Sequence, residues 1–428
     1  MKRRITKLTA LLVAAATMTS MGAGSAFAES TEAEGALDLS KAKGVTIQFW
    51  NSFTGSDGDV LREYVDRFNE TNEDGITVEM DIMPGDTLTE KLAPALAAGT
   101  APALFSIHDM DVANYAGSGS VSTFDDYFDV TGENKDDYME VSLTGLQLDG
   151  HQWAFPMEWY TQYLYYNKDL FDAAGITEVP DTWEEFAETA SKITDPDKKV
   201  YGAGLCVSGG VPWMNSMIIS NGGAVLSEDG ATGTLASDAT KTTLDLIKQI
   251  ADNGDTPVGN TGADLDNLMS ADQLGMVVNG PWMVNGLKEN EINFGVAPIP
   301  QGTASRAGIT EITAFAMPAG ISEEQKAAAY KFVSFWSNAE NSKEWSLRNG
   351  FPPYLKSVAE DADIQADELI NTFSKISEYG VVFGQGCKVT AAINSDVLFP
   401  MVETVIGGGD TQKAMDDAQA ALEALLAK

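Results

Sequence analysis

The residues of this chain that could do chemistry are flat aromatic rings and hydrogen-bonding side chains that follow predicted strands. A pyranose presents an apolar face of C–H groups and a rim of hydroxyls, so its site needs aromatic surfaces beside carboxylate, amide or guanidinium groups. The candidate ligand-binding residues are Trp50, Asn51, Phe53, Asp109, Glu158, Trp159, Trp213, Asn279, Trp282, Glu311 and Arg348. Together they predict a cleft that suits an uncharged sugar.

Several of these candidates also have a purely structural explanation. Tryptophan packs in protein interiors more often than it binds a ligand, an alternative that applies to Trp50, Trp159 and Trp213. Asp109 stands where a helix should begin and could cap that helix instead. Glu158 could be a solvated edge residue, and Arg348 fits a last helical turn, where a cation pairs with free carbonyl groups.

The carboxylates leave a secreted glycosidase as an alternative function. Such an enzyme needs two carboxyl groups roughly 5 to 10 Å apart across the scissile bond. With 63 acidic residues, the presence of such pairs does not discriminate between an enzyme and a binder. The sequence has no Gly-x-Ser-x-Gly, no His-Glu-x-x-His, no Walker loop and no complete Gly-x-Gly-x-x-Gly. We therefore expect no catalytic residue and no cofactor.

The charge balance argues against a nucleic-acid partner. Residues 1–28 carry four of the 27 basic residues and none of the 63 acidic ones, which leaves the remaining chain with a net charge near −40. Such a field repels phosphate backbones, whereas a neutral ligand meets no electrostatic conflict. The sequence predicts a carbohydrate ligand and no binding to nucleic acid.

The cysteine and histidine content predicts no metal site. Cys206 and Cys387 are the only cysteines, and a disulfide and two buried free thiols are equal alternatives for them. His108 and His151 are the only histidines, and these four residues cannot build a zinc site of ordinary composition.

The N-terminal residues have the pattern of a secretory signal peptide over 1–28. Basic residues are followed by an apolar stretch over 8–18 and by Ala26-Phe27-Ala28 at the cleavage position. No later segment approaches about 18 uninterrupted apolar residues, so we expect an exported periplasmic or extracellular protein. No cysteine lies near the cleavage position to carry a lipid anchor. Residues 29–43, rich in Glu, Ala, Ser and Thr, predict a disordered leader.

Alternating apolar strands and amphipathic helices predict an α/β fold. In the first half, strands are expected over 45–50, 76–82 and 103–107, with helices over 59–69 and 87–98. This order predicts a parallel sheet, which binds ligands beyond the carboxyl ends of its strands. In the second half, strands are expected over 163–166, 201–207 and 275–278, and helices after Thr182, over 239–251, after Ser322 and over 411–427. Gly99 should end the helix over 87–98. By their spacing, the inward-facing residues should be Ala329, Phe332, Val333 and Trp336 in the helix after Ser322 and Met415, Ala418, Leu422 and Leu425 in the last helix.

Several motifs occur in an order that points to a known family. They are Phe155-Pro156, the apolar run that ends at 166–170, the capping-box helix start at 180–185, Gly-Met-Val-Val-Asn-Gly-Pro-Trp at 275–282, the proline-rich run at 294–300 and Asn-Gly-Phe-Pro-Pro at 349–353. The chain thereby resembles the family-1 extracellular solute-binding proteins, the carbohydrate-capturing subunits of ABC importers, which include maltose-binding proteins. The resemblance implies that Trp282 stacks on a sugar and that a membrane ABC permease is the partner of a monomeric protein.

The resemblance also implies a type II periplasmic-binding fold of two lobes joined by a hinge, each lobe a mainly parallel sheet flanked by helices. About 400 residues exceed what one core usually covers, which agrees with two lobes. We expect the chain to cross between the lobes near 155 and 297. The N-terminal lobe would comprise 44–155 and 300–347, and the C-terminal lobe 156–299 and 348–428.

Overall fold

The computed structural model describes residues 37–227 and 230–427, which form two large β-sheets and one two-stranded sheet, surrounded by helices. The strands are β1 (Thr46–Asn51), β2 (Thr77–Ile82), β3 (Leu104–His108), β4 (Val121–Ser122), β5 (Gln147–Leu148), β6 (His151–Gln152), β7 (Phe155–Thr161), β8 (Tyr163–Asn167), β9 (Tyr201–Gly204), β10 (Leu274–Asn279), β11 (Phe294–Pro298), β12 (Gly308–Pro318) and β13 (Gly380–Val382). The helices are α1 (Ser56–Thr71), α2 (Gly85–Ala98), α3 (Asp109–Gly117), α4 (Tyr127–Thr131), α5 (Glu140–Thr144), α6 (Lys168–Ala173), α7 (Trp183–Ile193), α8 (Trp213–Ser220), α9 (Asp238–Asp252), α10 (Gly262–Met269), α11 (Met283–Glu289), α12 (Glu323–Ser337), α13 (Ala339–Asn349), α14 (Lys356–Ala359), α15 (Ala362–Ala366), α16 (Glu368–Ile376), α17 (Thr390–Ile393), α18 (Phe399–Ile406) and α19 (Thr411–Leu426).

The first sheet has the strand order β13-β12-β3-β1-β2, and β4 and β7 also pair with β12. As expected, β1 runs parallel to both β2 and β3. The long strand β12 runs antiparallel to β3 and β7 and parallel to β13. The carboxyl ends of β1, β2 and β3 therefore open at one edge of this sheet, which is where a ligand is expected.

The second sheet has the strand order β11-β8-β10-β9. Only β10 and β9 run parallel, while β8 is antiparallel to both β10 and β11. The expectation of a mainly parallel sheet is therefore wrong for this half. Strand β8 enters this sheet directly from β7 of the first sheet and runs opposite to its neighbours β10 and β11.

The core beside the first sheet is built on α12. This helix buries Ala329, Phe332, Val333 and Trp336, as its spacing predicted. The ring of Phe332 lies 5.9 Å from Phe49 of β1 and 6.0 Å from Phe315 of β12, measured between centroids. These contacts hold α12 against β1 and β12 of the first sheet.

Helix α7 confirms the capping box predicted at its start. The hydroxyl of Thr182 accepts a hydrogen bond from the backbone N–H of Glu185 at 3.1 Å, and the Glu185 carboxylate accepts one from the backbone N–H of Thr182 at 3.3 Å. The reciprocal bonds satisfy two donors that a helix start leaves free. The last helix, α19, buries Met415, Ala418, Leu422 and Leu425 as expected.

The expected disordered leader over 29–43 is wrong for its last residues. Residues 39–42 form a 3₁₀ helix whose first turn is capped by Asp38, which accepts from the N–H of Ser40 at 2.9 Å. Ala42 is buried, and Lys41 forms an ion pair with Glu323 at the start of α12. The predicted signal peptide and the rest of the leader lie outside the described residues.

The chain passes between the sheets later than expected. Strand β7 pairs with β12 along 155–161, so the chain leaves the first sheet at Gln162 and not at Pro156. Strand β11 is an edge strand of the second sheet, so the return follows it, between 298 and 308. The segment 348–428 is also divided, because β13 pairs with β12 of the first sheet.

Hydrogen bonds hold these two crossings together. Ser216 of α8 donates its hydroxyl to the side-chain oxygen of Gln162 at 2.7 Å and accepts from the backbone N–H of Ile309 at 2.9 Å. The backbone N–H of Gln162 donates to the carbonyl of Ile309 at 3.1 Å. One buried serine thus joins both connections.

The described residues contain neither a disulfide nor a helix suited to cross a membrane. Cys206 and Cys387 are both buried free thiols, so the disulfide alternative is not realised in this structure. Among the described helices, none has the length and apolar character that crossing a membrane requires.

Candidate functional site

A cavity of about 500 Å³ lies beyond the strand ends of both sheets. The first sheet and the segments that follow its strands contribute Ser52, Phe53, Asp57, Gly85, His108, Glu158, Tyr160, Glu311 and Thr313. The segments that follow β9 and β10, together with the turn after α13, contribute Gly209, Gly210, Val211, Gly262, Asp266, Asn279, Trp282 and Phe351. The cavity is therefore enclosed from two sides.

Trp282 is the main exposed aromatic surface of this cavity. It is 38% exposed and stands between β10 and α11. The ring of Tyr160 meets its indole edge-on, with the centroids 5.0 Å apart. A Cβ atom at Gly280 would lie 2.1 Å from the Trp282 ring, so glycine at 280 is what allows the indole to lie against this turn. Such a surface suits the apolar face of a ligand ring.

The Asn-Gly-Pro-Trp turn is held by hydrogen bonds from both sides. The side-chain amide of Asn279 donates to Asp266 at 2.6 Å, and its oxygen accepts from the backbone N–H of Gly280 at 2.9 Å. The hydroxyl of Tyr165 donates to the carbonyl of Gly280 at 2.8 Å. These bonds fix the position of Trp282 before any ligand arrives.

Glu158 and Glu311 bring carboxyl groups into the cavity from β7 and β12. Tyr160 donates its hydroxyl to Glu311 at 2.6 Å, whereas one oxygen of Glu158 is buried and has no hydrogen-bond partner among the described residues. Burial raises the pKa of both carboxyls, and for Glu158 the negative charge of Asp57 raises the pKa further. Burial therefore favours the protonated form of both groups in the empty cavity, and a hydrogen-bond donor or cation from a ligand would stabilise their charged form.

Two more acids complete the polar lining. Burial raises the pKa of Asp57, which stands in the first turn of α1. Burial also raises the pKa of Asp266 to about 6, although the hydrogen bond from Asn279 opposes this shift. Lys and Arg do not occur among the described residues that line the cavity.

Five of the predicted ligand-binding residues line the cavity, namely Phe53, Glu158, Asn279, Trp282 and Glu311. Asn51 does not line the cavity but fixes the backbone of Phe53, since its side-chain oxygen accepts from the backbone N–H of Phe53 at 3.1 Å. Asp109 lies next to the cavity, where it accepts from the backbone N–H of Ile312 at 3.1 Å. Contact of these seven residues with a ligand stays a prediction.

The other predicted residues lie away from the cavity. Trp159 alternates along β7 with Glu158 and Tyr160, which line the cavity, and it donates to the carbonyl of Pro353 at 3.2 Å. Trp50 on β1 is not among the lining residues. Trp213 is 2% exposed and donates to the carbonyl of Cys206 at 3.0 Å. Arg348 forms ion pairs with Glu63 at 2.6 Å and Glu344 at 3.2 Å. Trp159, Trp213 and Arg348 therefore have structural contacts in this arrangement.

Several lining residues were not among the predicted set. Tyr160 and Thr313 lie two positions after Glu158 and Glu311, and the period-two alternation of a strand could have identified them. Asp57 lies in the first turn of α1, Asp266 in the middle of α10 and Phe351 in a turn, where the sequence gives no signal of side-chain direction.

The raised pKa of Asp109 predicts a pH-dependent stability. Burial and the nearby charges of Glu311 and Asp111 raise this pKa to about 8. The unfolded chain loses this proton near pH 4 while the folded chain keeps it, so the free energy of unfolding should fall as the pH rises from 4 to 8.

Asp109→Asn should reduce that fall by an amount on the order of 2 kcal/mol, because the neutral amide keeps the bond to Ile312 without the charge. Urea unfolding at pH 5 and pH 8.5 measures the effect. Asp129→Asn, an exposed change on α4, is the matched control. Equal pH dependence in the native protein and in Asp109→Asn would contradict the shielding of this half-buried carboxyl.

Two α/β halves joined by crossings, with a ligand-sized cavity at the strand ends of both, define a two-lobe binding protein of the periplasmic type. The chain belongs to the bacterial extracellular solute-binding protein family, whose model matches residues 63–372. This confirms the expected family and fold class.

Similar proteins with known names bind different solutes. The maltotriose-binding protein of Pyrococcus abyssi is 26% identical over 365 residues, covering 81% of this chain and 74% of that protein. The sn-glycerol-3-phosphate-binding periplasmic protein UgpB of Pectobacterium atrosepticum is 24% identical over 419 residues, covering 89% and 91%. The GacH receptor of Streptomyces glaucescens, solved unliganded and with acarbose, superposes with a TM-score of 0.81 at 22% identity, covering 90% and 98%. That last likeness shows the fold alone.

Proposed function

We propose that this protein captures a mono- or oligosaccharide between its lobes and delivers it intact to a membrane ABC permease. The observation that carries the proposal is the exposed indole of Trp282, held beside Tyr160 in a cavity whose polar lining consists of carboxyl, amide and hydroxyl groups. A ring face and several hydroxyl partners are what a pyranose needs. The relative named for maltotriose binding supports a sugar.

Closure about the crossings at 162 and 299–307 accounts for capture. A ligand in this cavity contacts segments from both sheets at once, so the closed state gains contacts that the open state lacks. The lobes we propose therefore differ from the expected ones in placing β7 with the first sheet. The protein would act as an exported monomer.

The cavity lining favours a sugar over an anion such as glycerol 3-phosphate. A phosphate needs positive charge or several aligned N–H groups, and the described lining residues include four carboxyl groups and no Lys or Arg. The similarity to UgpB therefore does not extend to the ligand in this proposal.

A titration panel tests the proposal. Calorimetry and thermal unfolding are followed with mono- and oligosaccharides and with sn-glycerol 3-phosphate, and the sugars are analysed afterwards by chromatography. Binding of a saccharide with a raised midpoint and unchanged sugars is expected. Shorter sugars in the product would indicate the glycosidase alternative, and binding of the phosphate alone would overturn the proposal.

A further inference from the structure

The carboxyl groups of the cavity come from both lobes and are not balanced by a cation. Glu158 and Glu311 lie on β7 and β12 of the first sheet, and Asp57 lies in the first turn of α1. Asp266 lies on α10. The one basic side chain among the described lining residues is His108. Lobe closure therefore brings like charges together unless the ligand or bound protons compensate them.

Glu158 provides a second, independent observation. It is 5% exposed, and one of its oxygens is buried without a hydrogen-bond partner in the described residues. Trp345 and Thr313 lie near enough to oppose the rise in the pKa of Glu158, but the indole N–H of Trp345 and the buried oxygen of Glu158 both lack a hydrogen-bond partner among the described residues. Glu311 likewise has one buried oxygen without a partner, although its other oxygen accepts from Tyr160 at 2.6 Å, and Asp266 accepts from Asn279 at 2.6 Å. A buried carboxyl group that lacks a hydrogen-bond donor is stabilised most by a donor that carries a positive charge.

The aromatic groups beside these carboxyls suit the same kind of donor. The indole of Trp282 and the edge-on ring of Tyr160 form one wall of the cavity. An ammonium group is attracted to an aromatic face, and tryptophan is the best partner for it. A neutral sugar can use the same face, so the discrimination must come from the carboxyl groups.

We propose that this cavity selects saccharides that carry a protonated amino group over the same saccharides with a hydroxyl at that position. The inference rests on the proposed function and names the ligand class of that same site. An ammonium group supplies both the missing donor for Glu158 and the positive charge that the four carboxyl groups lack.

Matched sugars test this inference on the native protein. Glucosamine, galactosamine, mannosamine and the β-1,4-linked glucosamine trimer are titrated by calorimetry beside their hydroxyl and N-acetylated counterparts. We expect at least one amino member to bind more tightly than both counterparts by about tenfold or more. If neutral members bind as tightly as the amino members, this inference is wrong and the proposed function stands. If no saccharide binds, both are wrong.

Glu158→Gln tests the role of the carboxyl group, because it keeps the shape and removes the charge. The affinity for the amino sugar should fall by about tenfold or more, while that for the hydroxyl counterpart stays within about threefold. Glu403→Gln, an exposed change on α18, should alter neither. An unchanged preference in folded Glu158→Gln overturns the assignment. If the variant does not fold, the panel on the native protein decides.

Discussion

Trp282→Ala is expected to weaken saccharide binding by about 1 to 3 kcal/mol, which is about 5- to 150-fold in affinity. The indole is 38% exposed in the cavity and is the surface on which a sugar ring can lie. Its removal takes away the apolar area that stacking would bury. Titration calorimetry with the saccharide that the panel identifies measures the loss.

Tyr379→Ala is the control for Trp282→Ala. Tyr379 is 41% exposed, is not among the cavity-lining residues and contacts Arg306 through its ring. Its removal should leave the affinity unchanged. Because Trp282 is 38% exposed and packs at the cavity surface against Tyr160, Trp282→Ala should lower the unfolding midpoint much less than Trp336→Ala. Unchanged affinity in a folded Trp282→Ala protein would remove the central contact of the proposed site.

Trp336→Ala is expected to lower the free energy of unfolding by about 3 to 5 kcal/mol. Trp336 is 1% exposed, and its ring lies 4.7 Å from Trp345 and 5.6 Å from Tyr64 between centroids. Its indole N–H donates to the carbonyl of Met157 at 3.3 Å, which ties α12 to β7. Substitution by alanine leaves a cavity and an unpaired carbonyl. Urea unfolding of the ligand-free protein measures the change.

Trp336→Phe separates the two causes of this loss. Phenylalanine keeps much of the ring packing but removes the bond to Met157, so it should cost clearly less than alanine. A loss below about 1 kcal/mol for Trp336→Ala would mean that α12 does not pack on the first sheet as described.

The sequence predicted those elements whose signals are local. The capping box at Thr182 and Glu185, the buried stripe of α12 and the glycine at 99 that ends α2 all depend on spacings of a few residues. Gly99 has a φ of 66°, the left-handed conformation that glycine adopts without strain. Such features do not depend on how the rest of the chain folds.

The positions of the crossings could not be predicted in the same way. Pro156 looks like a break in the sequence, yet β7 continues through it because β12 accepts the strand with a register shift at Thr313 and Ala314. Whether a segment joins one sheet or the other is decided by its pairing partner, here more than 140 positions away. Local residue patterns carry no information about that partner.

The candidate site was predicted where strands supply the residues and less well where loops do. Trp282, Asn279 and Phe53 follow strand ends, and all three line the cavity. Trp213 also follows a strand and a glycine-rich loop, but α8 begins at this residue and turns its indole inward to Cys206. The direction of such a side chain depends on the packing of the helix it starts.

The central claim is that a saccharide is held between two lobes that close over it. Small-angle X-ray scattering of the protein alone and at saturating saccharide tests this most directly, with Trp282→Ala at the same sugar concentration as the reference for weakened binding. We expect the radius of gyration of the native protein to fall when sugar is bound. At the same sugar concentration, the radius of gyration of Trp282→Ala should stay nearer that of the ligand-free protein. Identical scattering curves with and without sugar, while calorimetry shows full occupancy, would contradict it.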